Sequence, residues 1–312
     1  MLMLLLGSAV ARCQEQQSRD DAWWTGPMLA PSAATLPQGH VLLEPYVFDL
    51  VTNGHFDTNG TWHSAPIEHT VGSQAYMLYG ITDRVTAGGI PRIAYNEPAG
   101  GADNSSGVGF GDLTLQAGYG LTRYDDVHRI PSIELVLQET LPIGQYDRLS
   151  RPANGFGAGA YTTAFAIYTQ DYFWMPNGRI LRARLDLTYG VSSSVSVENM
   201  SVYGTTAGFS GRAYPGDSFT ADAAGEYSVT RSWVLALDVV YQWNGNTRVT
   251  GTNAGGVPFD ANSGDSWSIA FAPAIEYNFS AQIGVLLGVR VIPIGRNTTS
   301  SILPVLALNM VF

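Results

Sequence analysis

Apolar and polar residues alternate along most of the chain beyond residue 40, with the two-residue period of β-strands. Between Trp267 and Phe279 the odd positions are apolar and mostly large, whereas the even positions are Ser, Ala, Glu and Asn. The segments 233–243 and 283–291 show the same alternation. The pattern predicts twelve strands, near residues 40–51, 71–82, 85–95, 109–121, 131–141, 159–173, 179–191, 218–229, 233–245, 266–279, 282–292 and 302–312.

Charged residues within these strands share one face. Twelve of them fall opposite the large apolar side chains, and they are Glu44, Arg92, Asp112, Glu134, Arg182, Arg184, Asp186, Asp222, Glu226, Asp238, Glu276 and Arg290. The one clear exception is Glu139, near the end of a strand. A soluble sandwich would alternate similarly, but Trp and Tyr recur near both ends of the apolar face, as at Trp233 and Trp243, which is typical of the aromatic girdles of membrane barrels. The sequence therefore predicts an all-β fold, a closed antiparallel transmembrane β-barrel of about 12 strands.

Strand length and the connections agree with this interpretation. A strand of about eleven residues, tilted by about 40°, rises about 28 Å, close to the height of the apolar band of an outer-membrane barrel. Short and long connections alternate, and an even number of strands places both termini in the periplasm. The long connections are expected at 52–70, 96–108, 142–158, 192–217 and 246–265, with a shorter one at 293–301.

The N-terminus has the features of an export signal. A short apolar run is followed by Ala9-Val10-Ala11, which fits the small-x-small rule for cleavage. We therefore expect a signal peptide at 1–11, a periplasmic N-terminal lead at 12–38 and the barrel at 39–312. The lead is expected to be flexible, the alternative being a partial plug inside the barrel. No run of 18 apolar residues exists, which excludes a transmembrane helix and leaves the barrel as the way to span a membrane.

Composition narrows the classes of function. Hydrophobic residues make up 45% of the 312 residues and charged residues only 13%, whereas soluble proteins carry about 25% charged residues. The net charge of −10 and the lack of a Lys/Arg cluster argue against a nucleic-acid partner. The single cysteine, Cys13, excludes a disulfide framework. The cell outer membrane is the expected location, with its lipid as a partner.

The last residues point to a second partner. From Leu306 to Phe312, apolar residues recur at every second position and the final residue is aromatic. This pattern is typical of the signal read by the barrel-assembly machinery, which we expect to recognise the C-terminal strand ending at Phe312.

Several short segments carry a family resemblance. They include Thr25-Gly26-Pro27, Glu44-Pro45-Tyr46, Tyr79-Gly80-Ile81-Thr82-Asp83-Arg84-Val85, Gly109-Phe110-Gly111-Asp112-Leu113 and Leu141-Pro142-Ile143-Gly144. With them, the chain resembles the outer-membrane transporters related to the phenol-degradation meta-pathway protein family. The resemblance implies an outer-membrane channel for aromatic or other small hydrophobic compounds, and no binding residue is carried over from it.

The search for catalytic chemistry yields no candidate catalytic, metal or cofactor residue. His69 and Ser73 share one face of a strand, but four residues of strand separate them by about 13 Å, too far for a hydrogen bond. We predict a channel or transporter for small molecules, with two alternatives: a barrel enzyme acting on lipid, and a plugged structural or adhesive barrel. The twelve interior charges have two interpretations. They line a wet lumen and tune its selectivity, or they form a salt-bridged network that fills a narrow barrel.

Overall fold

The computed structural model describes residues 16–312 and contains two antiparallel sheets. The barrel sheet consists of β1 (Val41–Phe56), β2 (Trp62–Thr82), β3 (Val85–Ile90), β4 (Arg92–Glu97), β5 (Gly109–Phe110), β6 (Leu113–Thr122), β7 (Ser132–Leu141), β8 (Thr162–Trp174), β9 (Ile180–Ser192), β12 (Ser218–Ser228), β13 (Trp233–Asn244), β16 (Ser266–Asn278), β17 (Ile283–Arg296) and β18 (Thr298–Val311). The second sheet consists of β10 (Val195–Glu198), β11 (Ser210–Tyr214), β14 (Arg248–Thr252) and β15 (Pro258–Asn262).

The barrel closes because its first strand has two neighbours. On β1, Tyr46 lies opposite Gln74 of β2 and Ala307 of β18. Both β3 and β4 pair with β2, and they form one barrel strand that is interrupted at Pro91, which has no N–H to donate. The next barrel strand is interrupted in the same way, since β5 pairs with β4 and β6 pairs with β3. With these two pairs each counted as one strand, the barrel has twelve strands, which confirms the predicted fold class.

Both ends of the barrel sequence lie at the end where the turns are short, which faces the periplasm in outer-membrane barrels. The N–H of Val41 donates to the carbonyl of Phe312 at 3.0 Å, and the N–H of Phe312 donates back at 2.9 Å. We call this the short-turn end and the opposite end the long-loop end. The short-turn hairpins include those closed by Arg84 and Gly178.

Alternate side chains face outward and are apolar. Val47, Phe165 and Leu287 lie more than half exposed on this outer face, where lipid replaces water. Aromatic pairs lie at the two ends of the apolar band, with Trp233 against Tyr277 at the short-turn end. Such an apolar band with aromatic edges is the surface of an outer-membrane barrel, and the chain is placed in that membrane accordingly.

Two of the predicted connections, 52–70 and 293–301, are wrong, because strands occupy most of both segments. The strands β1 and β2 continue past the expected boundaries and meet in a tight turn, in which Asp57 accepts hydrogen bonds from the N–H groups of Asn59 (2.8 Å) and Thr61 (2.9 Å). The connection expected at 293–301 is a similar extension, turned at Asn297 with a φ of 53°. Polar and small residues in these segments obscured the alternation, although the backbone pairing continues beyond the membrane.

The connections at 192–217 and 246–265 contain the second sheet. In it, β11 pairs with β10 and β14, so two loops are joined by backbone hydrogen bonds. Its inner face is buried around Val197, Phe209 and Val249. Three short 3₁₀ segments are also present, at Arg19–Asp21, Pro152–Asn154 and Ala254–Gly256. Within residues 16–312, no helix is long and apolar enough to cross a membrane.

Residues 22–36 lie inside the barrel, and we call them the plug. The plug enters at the short-turn end, where the N–H of Trp23 donates to Arg231 at 2.9 Å, and it returns there through Leu36, whose N–H donates to Thr86 at 2.9 Å. Between these points Met28 and Ala33 are almost fully buried. The structure therefore differs from the expected flexible lead at this segment, because the apolar plug residues pack against the barrel wall. The expected signal peptide at 1–11 lies outside the described residues.

Candidate functional site

The strand register places the twelve charged residues at inward-facing positions of the barrel. Asp112, just before β6, also faces the interior. Eight of the twelve are buried, namely Glu134, Arg182, Arg184, Asp186, Asp222, Glu226, Asp238 and Glu276. Glu44, Asp112 and Arg290 are half-buried, and Arg92 is exposed. Glu139 faces outward, where its carboxylate accepts a hydrogen bond from the hydroxyl of Thr163 at 2.6 Å.

Two interior carboxylates bind the plug backbone. Asp238 accepts hydrogen bonds from the N–H groups of Met28 (3.0 Å), Leu29 (3.3 Å) and Ala30 (3.0 Å). Glu276 accepts from the N–H of Thr25 at 2.8 Å. Hydrogen bonds to a charged acceptor are each worth about 1.5–3 kcal/mol, so these two side chains are the main polar attachments of the plug.

Two of the interior arginines, Arg182 and Arg184, contact both the wall and the plug. Arg182 donates from Nε to Glu226 at 2.6 Å, and Arg184 lies 3.4 Å from the same carboxylate. Arg184 also donates to the carbonyl of Ala30 in the plug at 2.6 Å. The guanidinium of Arg182 lies 4.6 Å from the ring centroid of Trp24, also in the plug. The cluster thus connects the wall strands β9 and β12 to each other and to the plug, as a salt-bridged network does.

The remaining interior acids are less fully paired. Asp186 and Asp222 lie opposite each other on β9 and β12, and each has a buried oxygen without a hydrogen-bond partner among the described residues. Glu44 accepts from the side-chain amide of Asn309 at 3.3 Å. Arg290 lies nearer the long-loop end, with its Nε unpaired among the described atoms. In the strand register Asp222 lies diagonally opposite Asp238, so Asp186 and Asp222 adjoin this plug-binding acid.

A cavity of about 450 Å³, which we call the outer cavity, lies toward the long-loop end. It is lined by Arg92, Asp112, Phe156 and Tyr203 among others. Asp112 accepts hydrogen bonds from the N–H groups of Gly144 (2.9 Å) and Ala158 (2.7 Å), and so ties the connection between β7 and β8 to the wall. Burial raises the pKa of Tyr203 to about 12, so that its hydroxyl stays protonated and donates to Ala158.

A second cavity of about 210 Å³, the inner cavity, lies between the plug and the wall formed by β1, β2 and β6–β8. Its aromatic and aliphatic lining comprises Trp24, Leu42, Tyr46, Tyr76, Leu78 and Tyr168, and polar groups come from Glu44, Gln116 and Glu134. Gln116 faces the inner cavity, and the next inward position on β6, Thr114, faces the outer cavity. Between the two cavities, the side-chain amide of Gln138 donates to Gln116 at 3.3 Å and to the hydroxyl of Tyr168 at 3.1 Å.

A catalytic nucleophile needs a base within hydrogen-bond reach, a geometry that can be checked in the part of the chain from residue 16 onward. There, no serine or threonine hydroxyl is hydrogen-bonded to a histidine ring, and no group of three acidic, His or Cys side chains could hold a metal ion. His69 pairs with Asp49 at 2.9 Å on the outer face, and Ser73 lies opposite Val47 further along the strand.

The aromatic residues that line the inner cavity were not among the site residues predicted from the sequence, all of which are charged. Tyr46, Tyr76 and Tyr168 lie on the inward face, among small and polar neighbours. A tyrosine on the polar face of a predicted strand could have indicated an aromatic interior site, because the tyrosines of the aromatic girdles lie on the opposite, lipid-facing side. The plug residue Trp24 had no such signal, since the segment lacks periodicity.

Comparisons with known proteins agree with this architecture. The family model described as "Putative MetA-pathway of phenol degradation" matches residues 36–299. The solved structure of the COG4313 outer membrane channel from Pseudomonas putida F1 matches with a TM-score of 0.66 and 18% identity, over 91% of this chain and 100% of that chain. The Pseudomonas putida toluene transporter TodX matches with a TM-score of 0.38 and 12% identity, over 88% and 90%. Of these two scores, the first indicates a shared fold. No curated protein matches the sequence.

Proposed function

Because the chain belongs to the family described as "Putative MetA-pathway of phenol degradation", we propose that it is an outer-membrane channel for small, largely apolar molecules, aromatic compounds among them. The observation that carries this proposal is the inner cavity, which has an aromatic and aliphatic side with Tyr46, Tyr76 and Leu78 and a polar side that includes Glu134, Arg182 and Arg184. Its volume of about 210 Å³ lies below the roughly 300–1,000 Å³ of pockets for drug-sized ligands. The solutes would therefore be small.

The route would run from the outer cavity past Gln116 and Gln138 into the inner cavity, and then along the plug to the periplasm. Arg92 and Asp112 would be the charges that a solute meets first, since both line the outer cavity. The buried charges would serve mainly to position the plug, as the bonds of Asp238 indicate. The twelve charged residues would in this way line the interior without forming one wide polar pore.

A channel is favoured over the two alternatives for different reasons. A barrel enzyme needs a nucleophile beside a base, and the described residues offer no such pair. A plugged structural barrel shares the plug, but it does not require an apolar cavity between plug and wall. The structural similarity to the COG4313 outer membrane channel also supports transport.

Uptake of aromatic solutes tests the proposal. In a Gram-negative host with a lipopolysaccharide outer leaflet, the protein should accelerate the initial uptake of labelled ethylbenzene. Leu78→Trp, which fills the inner cavity, should abolish this acceleration. Met77→Trp is the matched control, because the neighbouring side chain faces outward and is 51% exposed, and it should behave as the wild type. Equal uptake with and without the protein would overturn the proposal.

We also propose that β18 is the segment recognised by the barrel-assembly machinery. Its outward positions Leu306 and Leu308 are apolar, and they continue the alternation up to Phe312. Phe312→Ala should lower the folded fraction in the outer membrane, measured as the heat-modifiable band on a gel. An unchanged folded fraction would count against this role.

A further inference from the structure

One acidic side chain of the inner cavity has no partner. Glu134, on β7, is only 6% exposed, and it makes neither a hydrogen bond nor an ion pair with any described residue. The acids that contact the plug do have partners, because Asp238 and one oxygen of Glu276 accept from backbone N–H groups and Glu226 is paired with two arginines. A buried polar group without a partner costs free energy and calls for an explanation.

The surroundings of Glu134 leave room for a ligand. The residue lines the inner cavity and lies opposite Tyr168 on the next strand. On its other side is Gly118, where an added Cβ would come within 2.0 Å of Oε1 of Glu134. The glycine therefore makes the space that the carboxylate occupies, and the carboxylate borders the open cavity.

The rest of the cavity has the chemistry of a site for a small organic molecule. The rings of Tyr46 and Tyr76 meet edge to face with centroids 5.8 Å apart, and together with Trp24 they form an aromatic wall. Glu44 adds a second acceptor. Aromatic faces attract cations and pack against apolar groups, and a carboxylate accepts hydrogen bonds from ammonium or hydroxyl groups.

We propose that Glu134 binds the hydrogen-bond-donating head group of a small molecule whose apolar body contacts the aromatic wall of the inner cavity. The ligand class is an arylalkyl compound with an ammonium or a hydroxyl head. This inference rests on the proposed function, since it names the solute that the channel prefers. Arg182 and Arg184 also border the cavity, but their charges are engaged by Glu226 and by the plug.

Three compounds of nearly equal shape test the head group: ethylbenzene, benzyl alcohol and benzylamine. Binding to the full-length, refolded protein in detergent is measured by equilibrium dialysis against protein-free micelles. The wild type should bind benzyl alcohol and benzylamine at least about tenfold more tightly than ethylbenzene, because a hydrogen bond to a charged acceptor is worth that factor. Glu134→Gln should lose the benzylamine preference by about tenfold and leave ethylbenzene binding unchanged.

Glu139→Gln is the matched control, since it removes the same charge from the same strand on the outward face. It should bind all three compounds as the wild type does. Equal binding of the three compounds by the wild type, or an unchanged preference in Glu134→Gln, would overturn the inference and leave water as the partner of Glu134.

The two proposals can fail separately. If the protein accelerates uptake of ethylbenzene but shows no head-group preference, the channel function stands and the role of Glu134 is wrong. If the preference is present in dialysis but uptake is not accelerated, the binding site stands and the channel function is wrong. The folded state of each variant is checked by heat modifiability, so that a loss of binding is read only from folded protein.

Discussion

Removal of the Asp238 carboxylate should release the plug. This side chain is fully buried, and its two oxygens accept hydrogen bonds from three successive plug N–H groups, those of Met28, Leu29 and Ala30. Asp238→Ala removes all three bonds at once and leaves their donors without a partner. No other interior side chain binds as many plug N–H groups among the described residues.

The size of the effect follows from the number of bonds. At about 1.5 kcal/mol each, the low end for a charged acceptor, three bonds contribute about 4.5 kcal/mol to docking of the plug. Each 1.4 kcal/mol is a factor of ten, so the released population would rise by about a thousandfold. Water that enters the space recovers part of the lost bonding, and a tenfold rise is therefore the smallest that we expect.

Single-channel conductance and limited proteolysis measure the released plug. In Asp238→Ala, openings should be more frequent and cleavage within residues 22–36 should be at least about tenfold faster than in the wild type. Asp222→Ala is the control, because it removes a buried carboxyl from the adjacent strand that makes no bond to the plug. If Asp238→Ala matches the wild type in both assays, or if Asp222→Ala has the same effect, the assignment of Asp238 as the main attachment is refuted.

Three further perturbations have defined outcomes. Gly284→Ala places a Cβ 2.0 Å from the hydroxyl oxygen of Thr25, so it should displace the plug and speed its proteolysis while the barrel stays folded. Glu226→Gln leaves two buried arginines without their counter-charge, and urea unfolding in micelles should show a loss of about 3–5 kcal/mol. The hydrogen bond between His128 and Asp125 raises the pKa of His128 and lowers that of Asp125. Asp125→Asn should therefore lower the His128 pKa in an NMR titration, and the wild-type pair should lose its contribution to stability as the pH rises through the raised His128 pKa or falls through the lowered Asp125 pKa.

The barrel could be predicted from the sequence because the two faces of each strand lie in different environments. Lipid outside and a polar interior impose the two-residue period over the whole width of the membrane. In β13, for example, Leu235 and Leu237 lie on the outer face and Asp238 lies on the inner face. The period ends where the membrane ends. Beyond it, β1 and β2 continue as a hairpin and β11 pairs with β14, and neither is specified by a lipid-facing pattern.

The plug and the inner cavity could not be predicted in the same way. The plug has no regular secondary structure, so no periodicity marks it, and its contacts join residues far apart in sequence, such as Thr25 and Glu276. Sorting charges by face did select the wall residues that contact it. It could not distinguish Glu134, which lacks a partner, from Asp238, which has three, because partners on the plug are determined by the tertiary fold.

The composition of the plug explains how a barrel with a charged interior can provide an apolar passage. Residues 22–36 include no charged side chain, and their irregular backbone has N–H groups that need acceptors inside the barrel. Asp238 and Glu276 supply those acceptors, so these two wall carboxylates are hydrogen-bonded to the plug backbone. The plug side chains Trp24 and Leu29 then face the inner cavity. The polar wall is thus covered where the plug binds, whereas Glu134 and Glu44 remain on the lining of the inner cavity and give it a polar side.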